Sequence, residues 1–319
     1  LAAARGEMLR RAGWDVEAKG LFGAPEVNVV LGGEAHSSVY LSLRLLGFGA
    51  RRVKVAAADA EGRMRPDALA ATLDGLTGPT VVCLQAGNVV SGAFDPFSEL
   101  VPLAQAKGAW VHIDGAFGLW ACASPGRAHL TAGIALADSW AADAHKWLQV
   151  PYDCGLAMVR DAAAQQRAMS ITASYLPQGE NRAPEAFSPE MSRRARAFAV
   201  WAVIKALGRT GIAEMIERNC AVARHVAARL AAEPGLQVLN DVVLNQVALA
   251  CGDGPEADRQ TRETLAAVQA GGTSYPSHGR WRGREIIRIS ISGGETTIAD
   301  GTRTAEAIIA AWRQVRAAG

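Results

Sequence analysis

Six short, mostly apolar runs constrain this chain more than any other feature. Val27 to Leu31, Arg52 to Ala56, Thr80 to Leu84, Trp110 to Ile113, Asp138 to Ala142 and Gly155 to Val159 read as strands. Helical stretches separate several of them. Ser37 to Leu46 is stopped by Gly47 and Gly49, Pro66 to Leu73 is opened by its proline, and Phe97 to Lys107 follows a polar loop over Gln85 to Ser91. This alternation predicts an α/β fold, a mostly parallel sheet with helices on both faces. Ligands of such sheets bind beyond the carboxyl ends of the strands, and Asn88, Asp114 and Lys146 all fall in or beside such ends.

The second half reads differently. Ser170 to Met191 is polar and carries Pro177, Pro184 and Pro189, which predicts a long mobile loop near the site. Two helices follow, Ser192 to Leu207 and Gly211 to Ala232, separated by Gly208. A strand over Val242 to Ala250, a helix over Ala257 to Ala270, a strand over Ile286 to Ser290 and a last helix over Thr297 to Ala317 predict a small C-terminal α+β domain. The expected division is a large domain over 1–207 and a small one over 208–319.

Bulk properties exclude some partners. The net charge of +2 gives no electrostatic case for nucleic acid or an anionic membrane. No apolar run reaches the roughly 18 residues of a membrane span. The five cysteines (Cys83, Cys122, Cys154, Cys220 and Cys251) are scattered, which reads as reduced, mostly buried thiols in a cytoplasmic protein. His129, His225 and His278 have no partners at metal-ligand spacing, so no metal is expected.

The chemistry concentrates in two motifs. Asp114 opens Asp-Gly-Ala-Phe-Gly at the end of an apolar strand, and Lys146 lies downstream in Asp143-Ala-His-Lys-Trp147. A lone lysine after a strand is ordinarily a surface residue. A lysine with an acidic partner at a second strand end is the pair pyridoxal phosphate requires. The amine joins the aldehyde, the carboxylate keeps the ring nitrogen protonated, and Ala116 leaves room for the ring. The lysine must be partly neutral to react, which a cationic or desolvated setting favours.

The segment from Ser139 to Gly155, SWAADAHKWLQVPYDCG, closely resembles the Schiff-base segment of group II pyridoxal-phosphate decarboxylases, which have the aspartate aminotransferase fold, fold type I. Glu34-Ala-His-Ser-Ser38, His112-Ile-Asp-Gly-Ala116 and Ser192-Arg-Arg-Ala-Arg196 occur in the family's order. The resemblance implies a large domain of the seven-stranded type, a homodimer and an amino-acid substrate. It implies catalytic roles for Lys146, Asp114 and His36, with His36 stacked on the cofactor ring. It also implies cofactor contacts from Ala116, Asn88, Asp143 and His145, and places Arg193 or Arg194 near the site or the dimer contact. Arg196 reads as part of a solvated basic face, and His112 as core or cofactor lining.

Two departures stand out. Leu1 to Arg11 reads as a helix already under way, without the Gly/Ser turn that holds the cofactor phosphate in relatives; this implies an N-terminally truncated chain with weak cofactor binding. No Tyr lies between Leu176 and Arg193, where relatives present one for proton return, and Tyr175 is off that place. The leading expectation is an amino-acid decarboxylase. An aminotransferase on the same scaffold, or an inactive truncated remnant, are the alternatives.

Overall fold

The computed structural model describes residues 1–170 and 183–318. The chain opens with helices α1 (Ala2–Arg11) and α2 (Val16–Lys19), and then alternates. Strand β1 (Asn28–Gly32) leads to α3 (Ser37–Leu45), β2 (Val53–Ala56) to α4 (Pro66–Asp74), and β3 (Thr80–Gln85) to α5 (Phe97–Ala106). Strands β4 (Trp110–Asp114), β5 (Ser139–Asp143) and β6 (Gly155–Val159) follow, and then α6 (Ala162–Met169). Among the described residues these strands form one six-stranded sheet in the order β2-β1-β3-β4-β5-β6. Its first five strands run parallel, and β6 turns back antiparallel along β5.

Burial explains why the runs are apolar where they are. The interior strands β1, β3 and β4 are covered on both faces, so Val29, Val30, Val81, Val82, Val111 and Ile113 are all inaccessible. Each such side chain contributes about 1.5–3 kcal/mol relative to exposure. The edges β2 and β6 are largely exposed. One face of the sheet packs under α4 and α5, with Trp147 and the middle of α7. The other packs under α1 and α3.

Helix α7 (Arg196–Ala231) crosses from the first region to the second. Its Val200, Ile212, Ile216 and Cys220 belong to the core of the large sheet, whereas Val222, Val226 and Leu230 belong to a second core. That second core lies on a four-stranded antiparallel sheet, β7 (Leu236–Val238), β8 (Gln246–Cys251), β9 (Ser277–Trp281) and β10 (Arg284–Ser290), in the order β7-β8-β10-β9. Helices α8 (Ala257–Ala270) and α9 (Ile298–Ala318) complete it.

Several sequence expectations shift. The two helices expected around Gly208 are the two arms of α7, which breaks direction at Gly208, where φ 63° and ψ −176° lie outside the helical region. The helix begins at Arg196, not Ser192, since Arg194 reaches the carbonyls of Tyr152 (2.7 Å) and Asp153 (3.0 Å) and holds that stretch out of the helix. Strand β8 begins at Gln246, not Val242. The Asn240 side chain accepts from Ala248 N–H at 2.8 Å and donates to the Ser91 and Gln246 carbonyls, which fixes the preceding residues as a loop. Helix α6 and strands β7 and β9 have no counterpart in the sequence reading. The loop reading over 171–182, with Tyr175 and Pro177, lies outside the described residues; Pro184–Phe187 forms a single 3-10 turn.

Candidate active site

The carboxyl ends of four neighbouring parallel strands supply the site. Strand β4 ends at Asp114, and β5 ends at Asp143, three residues before Lys146. Beyond β1, Gly32 to Ala35 lead to His36, the N-cap of α3. Beyond β3, the turn from Ala86 carries Asn88. These loops lock together by backbone bonds. Ala86 N–H donates to Asp114 O (2.8 Å), Gly115 N–H to Ala141 O (2.9 Å), and Asp143 N–H to Ala116 O (2.7 Å). Gly118 approaches so closely that a Cβ there would lie 2.2 Å from the Ala86 carbonyl. The last glycine of the Asp-Gly-Ala-Phe-Gly motif is therefore required by contact.

Asp114 is the electrostatic centre. Burial raises its carboxyl above the ordinary 3.8; the Ala116 N–H and the charges of Lys146 and His36 act against this, and Asp143 reinforces it. Its Oδ1 accepts from Ala116 N–H at 3.2 Å, and among the described residues Oδ2 accepts no hydrogen bond. A mostly buried carboxylate with one oxygen unused suits an N–H donor that arrives with positive charge. A pocket beside it is lined by Gly32, Glu34, Ala35, His36, Asp95 and Asp114, among others.

Lys146 Nζ lies 2.8 Å from Asp143 Oδ2, and His145 Nε2 is 3.8 Å from the same oxygen. His145 is held by Cys154, whose N and O are each 3.1 Å from Nδ1, and by the Tyr152 ring at 4.2 Å. His36 Nδ1 accepts from Ser38 N–H at 3.2 Å, which leaves Nε2 as its free nitrogen. The structure thus brings Lys146, His36 and Asp143 within electrostatic reach of Asp114. The donor set of amine, acid and imidazole fits pyridoxal phosphate.

Other residues are occupied elsewhere. The Asn88 side chain shapes its own turn, accepting from Val90 and Ser91 N–H at 2.8 and 3.1 Å and donating to Gln85 Oε1 at 3.2 Å. His112 is buried, with Nδ1 2.8 Å from Ser139 Oγ, and burial holds its pKa well below the ordinary histidine range. Arg196 is not a freely solvated cation, since it pairs with Asp153 (3.1 Å) and Glu190 (3.1 Å).

Two residues escaped the sequence reading. Asp95 is buried and accepts from Met64 and Gln85 N–H, each at 2.7 Å, which pins the end of β3; burial lifts its carboxyl to about 6. Its place directly before Pro96 was the only available signal. Arg288 on β10 is half-buried and reaches Val89 O and Ser277 Oγ, each at 3.1 Å. Among the described residues no carboxylate pairs with it, and burial lowers its pKa. Nothing in its local sequence distinguished it from other strand arginines.

The described residues contain no His, Cys, Asp and Glu group that could hold a metal. None of their helices is long and apolar enough to cross a membrane.

Known proteins resemble this chain over most of its length. The profile of the pyridoxal-dependent decarboxylase conserved domain matches residues 3–251. Acidic amino acid decarboxylase GADL1 of Bos taurus is 33% identical over 236 residues, which is 70% of this chain and 45% of that protein. Tryptophan decarboxylase 1 of Oryza sativa subsp. japonica is 28% identical over 313 residues, 91% of this chain and 60% of that protein. The chain therefore spans about half of the curated relatives it matches. The crystal structure of mouse CSAD in apo form superposes with a TM-score of 0.88 over 97% of this chain and 69% of that one, at 22% identity, which is a likeness of fold. The chain belongs to the pyridoxal-dependent decarboxylase family.

Proposed function

We propose that this chain carries the lysine-bearing part of a pyridoxal-phosphate-dependent L-amino-acid decarboxylase, a carboxy-lyase. The observation that carries the reading is the mostly buried Asp114 carboxylate, with one oxygen unused, under the influence of Lys146 and His36. The family match favours decarboxylation over transamination.

When bound, pyridoxal phosphate supplies an electron-accepting heterocycle for the electron pair left as carbon dioxide departs. Asp114 would face the ring nitrogen and hold its proton. Lys146 would bind the aldehyde, and Asp143, 2.8 Å away, would hold the lysine's proton whenever the amine is not engaged. His36, its orientation set by Ser38, would cover the ring, and Ala116 leaves space beside Asp114. His145 and the turn of Asn88 would complete the walls. Arg288 is a desolvated cation without an acid, and so suits a substrate carboxylate.

The division into domains at 1–207 and 208–319 is part of this proposal; the change of core partners along α7 between Cys220 and Val222 supports a boundary within that helix. We also propose a cytoplasmic homodimer. The free cysteines support the compartment, and the exposed row of Phe198, Trp201, Ile204 and Leu207 on α7 supports association.

The test is direct. After addition of pyridoxal phosphate, a visible absorbance that borohydride abolishes, with the reduced adduct mapping to Lys146, is expected. Lys146→Ala should show neither, and the product from an L-amino acid should be carbon dioxide and an amine. A keto acid as product, or an adduct on another lysine, would overturn the reading.

A further inference from the structure

Asn219 of α7 lies far in sequence from every motif above, yet it is completely buried and bonded at both ends. Its Oδ1 accepts from Trp147 Nε1–H at 2.8 Å, and its Nδ2 donates to Gly293 O at 2.9 Å. The indole N–H can only donate and the carbonyl can only accept, so the chemistry fixes the orientation of the amide. Neither aspartate nor an apolar residue can serve both partners.

The partners give this amide its importance. Trp147 is the neighbour of Lys146, has no exposed surface, and lies 6.4 Å from the ring of Phe117 in the motif that carries Asp114. Gly293 and Gly294 form the turn after β10. That turn makes a second bond to the lysine segment, from Gly294 N–H to Gln149 Oε1 at 2.8 Å, and Arg218 donates to the Gly294 carbonyl. A Cβ on Gly293 would lie 2.2 Å from Thr296 Oγ1, and one on Gly294 would lie 2.9 Å from Gln149 Oε1, so a side chain at either position would push one of these groups aside. The segment around Lys146 is thus gripped from behind by α7 and by the C-terminal turn.

We propose that Asn219 is a positioning residue for Lys146. It anchors the Trp147 indole and, through it, sets the distance between the Lys146 amine and Asp143. It also couples the lysine segment to the turn at Gly293. The place of the amine follows from that anchor, so Asn219 governs how Lys146 is presented for reaction. The significance of this role rests on the functional reading above, but its test does not require the cofactor.

The test is trace acetylation of the folded chain at one fixed pH, with each lysine read separately by peptide mass spectrometry. In Trp147→Phe, which keeps the ring and removes the donor, the labelling rate of Lys146 should change by about threefold, the scale of one lost hydrogen bond. Asn219→Leu should change it in the same direction. The double variant should go no further than Asn219→Leu alone, because the bond to Trp147 is already broken there. Lys54 and Lys107 should stay unchanged. An unchanged Lys146 rate in folded Trp147→Phe would overturn the proposal, as would effects that add in the double variant. Should Asn219→Leu fail to fold, Trp147→Phe decides alone. A changed Lys146 rate without a borohydride-trapped adduct at Lys146 would sink the functional reading and leave the positioning role standing.

Discussion

The two sheets of this molecule use their residues in opposite ways. In the six-stranded sheet the interior strands are almost purely apolar, and chemistry begins where the strands end, at Gln85, Asp114 and Asp143. In the four-stranded sheet polar side chains sit within the strands, and Arg284 and Arg288 of β10 reach across to Gln237 and to the turn of Asn88. A parallel sheet covered on both faces spends few side chains on polar contacts, such as His112 with Ser139, and collects most of them at its rim. The antiparallel sheet places them along its length, as Gln246 on β8 and Arg284 and Arg288 on β10 show. Substitutions at the rim of the first sheet should therefore cost activity, and substitutions in the apolar core of the second sheet should cost stability; Arg288, proposed for the substrate carboxylate, belongs with the rim.

The largest effect expected is at Asp114. Asp114→Asn should lower carbon dioxide release by about a thousandfold, the scale of losing a preorganised charge opposite the reacting group. Stability should not fall with it. Burial raises this carboxyl above 3.8, so the folded state holds the proton more tightly than the unfolded chain. The parent accordingly loses stability as pH rises from about 3.8 through the raised value, and keeps that deficit above it. The asparagine variant lacks this slope. Urea melts at pH 4 and pH 7 should show the variant gaining on the parent at the higher pH, and a loss at pH 7 would break the comparison between rim and interior.

Ile287 provides the opposite case. It is completely buried on β10, opposite Leu249 of β8. Ile287→Ala should cost about 3 kcal/mol through lost burial and the cavity left behind. Well below its melting temperature it should keep the parent's turnover per folded molecule. Turnover that fell as far as in Asp114→Asn would mean that the small sheet acts directly on the chemistry.

The same contrast explains what could be read from sequence. The interior strands β1, β3 and β4 declared themselves as apolar runs because both faces are covered, and Asp114 and Lys146 stood out because motif and strand end coincide. Strand β9, Ser-His-Gly-Arg-Trp, gave no such signal, since only Trp281 is buried and its neighbours face water. Asn219 and Arg288 were illegible for a different reason. Their importance comes from partners 72 and 199 residues away, and no local pattern encodes such a contact. Arg196 was misread because one of its acids, Asp153, comes from a loop 43 residues away that only the fold brings near.

The smallest effect sharpens the comparison inside the large unit, on the face away from the strand ends. Glu7 of α1 is only 3% exposed and meets three arginines, Arg10 (2.8 Å), Arg11 (3.0 Å) and Arg167 of α6 (2.7 Å). The bond from Arg10 leads in holding its carboxyl down at about 2, against an ordinary 4.5. A depressed acid stabilises the fold above its unfolded pKa and loses that contribution as pH falls through the folded value. The three arginines are about half exposed, so solvent screens part of the gain, and Glu7→Gln should cost about 2 kcal/mol at pH 7. The gap between variant and parent should close between about pH 4.5 and pH 2, while turnover and adduct formation at Lys146 stay as in the parent. A constant gap across that window would mean that Glu7 acts by packing α1 against α6, not by charge. A change in turnover would mean that the docking of α1 and α6 is felt at the strand ends, and the separation of stability from chemistry within this sheet would fail.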